Sequence, residues 1–260
     1  WVADFDIDGY RCDVAGWVPI DFWVDTRRTL DQIKPVFMLA EAEGNELYKA
    51  FEMTYGWELH HIMNDIAQGK KDASAVHEFF SKPALPNNGF QMNFTSNHDE
   101  NSWNGTEMER LGPAIETFAV FAATIDGMPL VYNGQETSLD RRLKFFEKDP
   151  INWEKMDKVD FYQTLLNLHQ NHPALSVTKG QTKPRFLSEA TDKDHLVYVR
   201  ERDGRQVLVV LNLSAQPKTI AFNDAATAGK FTDLFTKQAL SFKPAHTIKL
   251  GPWGYAVYVR

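Results

Sequence analysis

The chain has 260 residues, 43% of them hydrophobic, enough to bury a sizeable core as one barrel or as a smaller unit with a second domain. A formal charge of -7, with Lys and Arg scattered rather than clustered, argues against a nucleic-acid partner. The single Cys12 excludes an internal disulfide and any cysteine-based metal centre, and no apolar run approaches the roughly 18 residues of a membrane span.

In chain order, short apolar runs alternate with longer amphipathic stretches through the first half, the pattern of βα units and a parallel sheet. Strands are predicted at 7–14, 35–40, 51–55, 91–96 and 129–132. A helix is predicted over 112–125, where Ile115, Phe118, Ala119, Ala122 and Ala123 share one face; it should lie outside the sheet. A second helix, over 160–169, carries Phe161, Leu165 and Leu168 on one stripe and ends at His172-Pro173. From about residue 179 the pattern switches to period two, at 195–200 and 207–213, with Asp203-Gly204 between them as a hairpin turn. Further strands are predicted at 218–222, 247–250 and 255–259. The fold class is therefore α/β over 1–178, a partial (β/α)8 barrel, followed by an all-β antiparallel sandwich over 179–260.

Three carboxylates, Asp13, Glu41 and Asp99, each stand where an apolar strand-like run ends, separated by 28 and 58 residues. Those gaps match one and two βα units at about 30 residues per unit, so the acids should converge on one barrel mouth. In an extended strand Arg11 and Asp13 project to the same face, where a guanidinium keeps a carboxylate ionised and oriented, as a nucleophile requires. An isolated Arg-x-Asp is, by itself, more often a structural ion pair. Glu41, emerging from the apolar run 36–40 among other acids, is a candidate proton donor at neutral pH. Glu43 competes for that part, but it adjoins Gly44 and should already be in the loop. The polar run Asn97-His98-Asp99 directly after a strand is costly to bury without a task. A metal site on His98 and Asp99 is disfavoured because no other His has suitable spacing. His60, His61 and His169 read as ordinary helix or loop residues.

These segments carry a family resemblance. Asp8-Gly9-Tyr10-Arg11-Cys12-Asp13, Leu39-Ala40-Glu41-Ala42 and Phe94-Thr95-Ser96-Asn97-His98-Asp99 resemble three signature segments of the α-amylase family of retaining glycoside hydrolases, in that family's order. The run from Gly127 to Glu136 is similar to the family's eighth barrel strand, and Phe145-Phe146 through Asn152-Trp153 to the loop after it. The likeness covers about residues 1–175, and the tail resembles the family's C-terminal β domain. It implies strands four to eight of the barrel and hydrolysis of α-1,4-glucans such as starch or maltodextrins through a covalent glycosyl-enzyme. Asp13 would be the nucleophile, Arg11 its partner and Glu41 the acid and then base. Asp99 and His98 would bind sugar hydroxyls, with Asn97 supporting the site. The implied partner is an α-glucan oligosaccharide or polysaccharide. Transglycosylase, isomerase or non-catalytic relatives share much of this pattern.

The departures are equally specific. Where many relatives carry Lys-His after the nucleophile, this chain has Gly16-Trp17, and Trp17 either stacks on a sugar ring or is a buried aromatic. No segment matches the third strand. The chain is therefore expected to be the C-terminal part of a longer enzyme, to lack the N-terminal part of its barrel, and to have little activity alone. No cofactor is expected in this chain, calcium belonging to an insert in the missing part.

Overall fold

The computed structural model describes residues 1–177 and 182–260; the expected domain boundary at 178 and 179 lies outside the described residues. Strands β1 (Gly9–Cys12), β2 (Phe37–Ala40), β3 (Met53–Tyr55), β4 (Phe90–Asn93) and β5 (Met128–Pro129) lie side by side in chain order, each parallel to the next. Parallel neighbours need crossovers, and helices Ile20–Asp31, Trp57–Ala67, Ser74–Ser81 and Ile115–Thr124 supply three of them. The link from β2 to β3 holds the 3-10 turn Asn45–Lys49 in place of a longer helix. The paired segments are also shorter than the expected runs: β4 stops at Asn93, before the buried Phe94, and β5 at Pro129, before Leu130.

Alternation sorts the side chains to two faces. On one, Leu39, Met53, Tyr55, Phe90, Met92 and Phe94 form an apolar cluster, with Phe37 stacked on Phe90 at 6.3 Å. On the other, Met38 and Ala40 pack with Trp23 and Phe51. Gly9 sets how closely β1 approaches β2: a Cβ there would stand 1.9 Å from the Phe37 carbonyl oxygen. Gly9→Ala must push the strands apart and should lower stability by roughly 1–3 kcal/mol. A shift of the urea midpoint at unchanged slope would measure it. Among the described residues the sheet does not close on itself, and β1 and β5 each keep one unpaired flank. Beside β1, Trp1 and Phe5 are 72% and 67% exposed.

The second unit holds β6 (Arg185–Phe186), β7 (His195–Arg202), β8 (Arg205–Asn212), β9 (Lys218–Asn223), β10 (Gly229–Asp233), β11 (Ala239–Phe242), β12 (Ala245–Leu250) and β13 (Tyr255–Val259). Six form an antiparallel sheet in the order β11-β10-β13-β8-β7-β6, and β9 pairs with β12. Asp203 and Gly204 both take positive φ, 52° and 74°, the backbone that a two-residue hairpin between right-twisted strands requires. Val197, Val199, Leu208 and Val210 of the larger sheet pack on Ile220, Phe222 and Ile248 of the smaller, as the sandwich expectation holds. Strands β6, β10 and β11 escape sequence reading because they are short and alternate weakly, with few buried positions.

The other face of the larger sheet, with Leu196, Tyr198, Val207, Val209 and Leu211, shares one core with Phe118, Phe121, Leu165 and Leu168. Helix Ile115–Thr124 does lie outside the parallel sheet, but it is buried on all sides from Thr117 to Thr124. The β domain covers the face that periodicity leaves open. Helix Val159–Asn171 ends before His172-Pro173 as predicted.

Candidate active site

At the end of β1 the chain turns sharply, with Val14 in the left-handed region at φ 44°. That turn aims two backbone groups at Glu41. The Glu41 N–H donates to the Cys12 carbonyl at 3.0 Å, and the Val14 N–H donates to Glu41 Oε2 at 2.8 Å. Arg11 then bridges the two acids: Nη1 donates to Asp13 Oδ1 at 2.6 Å and Nη2 lies 2.6 Å from Glu41 Oε1. Its Nε donates to the Tyr55 hydroxyl at 3.3 Å, and the guanidinium lies 5.7 Å from the Tyr55 ring centroid. Burial opposes the charge on Arg11, but the hydrogen bonds to Tyr55 and Asp13 outweigh it and raise its pKa. A planar fork satisfied along three directions cannot easily rotate away.

The two carboxylates differ in surroundings. The Asp13 side chain is 76% exposed and that of Glu41 only 12%. Asp13 is held below the ordinary carboxylate range first by the Arg11 hydrogen bond and then by the charge of that guanidinium. Opposite them, His98 Nε2 lies 3.5 Å from Asp99 Oδ2. Asn97 is buried beneath the loop, and its Oδ1 accepts from the Asp99 and Glu100 backbone N–H groups at 3.0 and 2.8 Å. The structure thus gathers Arg11, Asp13, Glu41, His98 and Asp99 at the strand ends, with Asn97 shaping the turn. Trp17, in the turn after β1, is 89% exposed, which excludes the buried alternative and leaves its ring open to solvent.

Glu43 lies apart. Both of its oxygens accept from the Glu58 N–H at the start of helix Trp57–Ala67, and Gln91 donates to it as well. Its pKa is raised by burial, although much of the side chain is reachable from a cavity of about 550 Å³ that it lines with Tyr48, Phe79, Lys82 and Phe186. That cavity contains none of the strand-end acids. Convergent charged groups, rather than enclosed volume, mark the site.

The disfavoured metal reading needs one correction: Glu41, His98 and Asp99 offer ligand atoms within 4.8 Å of one another, so folding supplies the third ligand that His spacing did not. Both Glu41 oxygens are already engaged by Arg11 and Val14, and a cation there would sit against a guanidinium.

Sequence reading missed the support behind the loop. His60 Nδ1 lies 3.0 Å from the Phe94 carbonyl and Nε2 lies 3.0 Å from Glu100 Oε2. Burial raises the Glu100 pKa, yet the His60 hydrogen bond and charge prevail and lower it. Arg110 donates to Asn64 Oδ1, the Thr95 carbonyl and Ser96 Oγ. The one local signal was the i,i+4 pair His60 and Asn64; the rest joins distant segments.

Comparison with known proteins places this arrangement. Along its whole length the chain is similar to proteins named as α-amylases and maltogenic amylases, and its fold is that of the α-amylase-type structures. Residues 185–257 match the family model of the maltogenic amylase C-terminal domain. The chain is 27% identical to alpha-amylase 2 of Dictyoglomus thermophilum, covering 100% of itself and 47% of that protein. It is 27% identical to a cyclomaltodextrinase of a Bacillus species over 82% of itself and 40% of the relative. A noncanonic maltogenic alpha-amylase, AmyB from Thermotoga neapolitana, superposes with a TM-score of 0.82 at 24% identity, covering 100% of this chain and 62% of that structure. The chain thus spans about half the length of the curated relatives it matches. Its fold is that of the α-amylase structures in part: a five-stranded parallel sheet followed by a C-terminal domain of antiparallel sheets.

Proposed function

We propose that this chain carries the reacting carboxylates of a retaining α-glycoside hydrolase acting on α-1,4-glucans. The observation that carries the reading is the single Arg11 guanidinium shared by Asp13 and Glu41 at 2.6 Å each. Two acids bound to one fork stand a few ångströms apart, the regime of retaining pairs at about 5 to 5.5 Å and too close for the water that an inverting pair admits. Asp13, exposed and ionised, attacks the anomeric carbon while Glu41 passes a proton to the departing glycosidic oxygen. Water then adds to that carbon while Glu41 takes a proton from the water, the acetal-ester bond to Asp13 breaks and both carboxyl groups return to their starting forms. Asp99 and His98 bind sugar hydroxyls, and Asn97 holds their loop. Trp17 offers an exposed ring for a sugar face. The relatives' names include amylases and cyclomaltodextrinases, and one solved neighbour, AmyP, is described with maltose and with maltotriose. Transglycosylation by the same acids is the alternative, separated from hydrolysis by product analysis on maltoheptaose.

The open flanks of β1 and β5 and the exposed rings beside β1 support a second element of the proposal: the working sugar site needs the barrel's N-terminal part as partner. The 260-residue chain by itself then binds glucans weakly and turns over little. Robust starch hydrolysis by the purified chain would overturn this element.

The test of the chemistry is covalent labelling with 5-fluoro-α-glucosyl fluoride, in which fluoride departs without needing a proton. In a form of the protein with the barrel completed, mass spectrometry should place the glycosyl group on Asp13; a completed, folded barrel that takes no label favours a non-catalytic relative used for binding. The pH dependence has a definite sign. The ionised form reacts, and Asp13 is held below its ordinary value of 3.8, so labelling should persist as pH falls from 7 to that value and fade only beneath it.

A further inference from the structure

Strand β4 ends at Asn93, and Phe94 to Asn97 lie outside any ladder before the chain turns through His98 and Asp99. Backbone groups that leave a sheet and stay buried must find partners elsewhere. Side chains from two other elements supply them. His60, on helix Trp57–Ala67, sets Nδ1 3.0 Å from the Phe94 carbonyl, and because a carbonyl only accepts, that nitrogen carries the hydrogen. Arg110, on the short helix Glu107–Leu111, donates to the Thr95 carbonyl at 3.0 Å and to Ser96 Oγ at 3.1 Å. It also donates at 3.0 Å to Asn64 Oδ1, on the same helix as His60.

The far side of the turn is tied to the same histidine. His60 Nε2 lies 3.0 Å from Glu100 Oε2, and Glu100 Oε1 accepts from Asn104 at 2.9 Å. One imidazole therefore spans the segment that carries Asn97, His98 and Asp99, holding Phe94 ahead of it and Glu100 directly behind it. The ring stacks on Phe94 at 4.8 Å and 25° and meets Trp57 edge-on at 6.0 Å, which keeps it from turning. His60 and Glu100 are both buried. A buried ion pair adds little stability over apolar side chains of the same volume, because desolvation offsets most of the attraction. What it adds is direction, since a hydrogen bond constrains distance and angle where apolar contact does not.

We propose that His60 and Glu100 are positioning residues that fix how the 94–100 segment presents Asp99 to the sugar held at Asp13 and Glu41. This rests on the glycoside hydrolase reading above and deepens it with two side chains that touch no substrate. Glu41, His98 and Asp99 bring polar side-chain atoms within 4.8 Å of one another, so movement of the segment alters the site directly. A displacement of about 1 Å in such a site costs on the order of 100-fold in rate.

The test uses the protein with its barrel completed. His60→Phe combined with Glu100→Met keeps a ring on Phe94 and the volume of the pair, but removes both directional bonds. The melting midpoint should hold, while kcat on maltodextrin falls about 100-fold and KM changes far less. Two single variants each keep one end of the brace: His60→Asn still reaches the Phe94 carbonyl, and His60→Gln still reaches Glu100. Each should lose about tenfold in kcat, and Glu100→Gln, which still accepts from His60, should lose less than either. If the combined variant does not fold, unchanged kcat in the two His60 single variants overturns the role. In an Asp99→Asn background the combined replacement should cost less than about tenfold, because the group it positions has been disabled. An equal loss in that background, or an unchanged kcat in the folded combined variant, overturns the positioning role and leaves Asp13 labelling, and hence the proposed chemistry, standing. A wild type that neither hydrolyses maltodextrin nor takes label on Asp13 overturns that chemistry itself, and this role with it.

Discussion

Asp13→Asn, in a form of the protein with the barrel completed, should lower maltodextrin hydrolysis by about 10⁴- to 10⁶-fold, the range of losses seen when one member of a covalent catalytic set is removed. The exposed Asp13 contributes little packing, so the variant should fold normally, and its loss should appear in kcat rather than as unfolding. Glu41→Gln separates the two roles. With maltodextrin, whose leaving oxygen needs a proton, the rate should fall by a factor approaching that of Asp13→Asn. With an α-glucosyl fluoride, which needs none, formation of the glycosyl-enzyme should be far less affected. Equal losses of Glu41→Gln on both substrates would reject the acid role, and an active Asp13→Asn would reject the nucleophile.

Arg200→Ala should destabilise the fold by about 3–5 kcal/mol, the cost of breaking a buried pair from one side. Arg200 is 1% exposed, yet it donates to the Thr124 carbonyl at 3.2 Å and Thr182 Oγ1 at 2.9 Å, with Asp126 Oδ1 at 3.4 Å. Burial acts on both partners, lowering the Arg200 pKa and raising that of Asp126. Removing the guanidinium strands a carboxylate at the end of the buried helix and cuts a tie between the barrel unit and the β domain. Adding Asp126→Asn should recover part of the loss, which a double-mutant cycle in urea would measure. A loss below about 1 kcal/mol for Arg200→Ala would show that apolar packing alone joins the two units.

Much of the candidate site was legible from the chain because strand ends announce themselves: an apolar run that stops at a charged residue predicts where a strand delivers a side chain. Asp13 and Glu41 directly follow β1 and β2 in that way, and the two-residue period turns Arg11 to the same face as Asp13, whereas Asp99 lies six residues past the end of β4, in the turn that follows. The supports were not legible. Tyr55 looks like any aromatic in a strand, and His60 like any polar residue in a helix; only folding brings one against Arg11 and the other against Glu100. Trp17 left two alternatives because hydrophobicity does not say which side of a turn a ring leaves from.

What the sequence alone determined is local: the longer period-two strands of the β domain, the Asp203-Gly204 hairpin, the helix stop at His172-Pro173 and the acids directly after β1 and β2. Each follows from backbone preference or from alternation within a few residues. The tertiary structure decided what depends on packing between distant segments. It put a second layer over helix Ile115–Thr124, brought Glu41 to His98 and Asp99, and placed one guanidinium between two carboxylates. Periodicity reports that a face is apolar, but not which surface covers it, and an acid's chemistry rests on the charge that folding sets beside it.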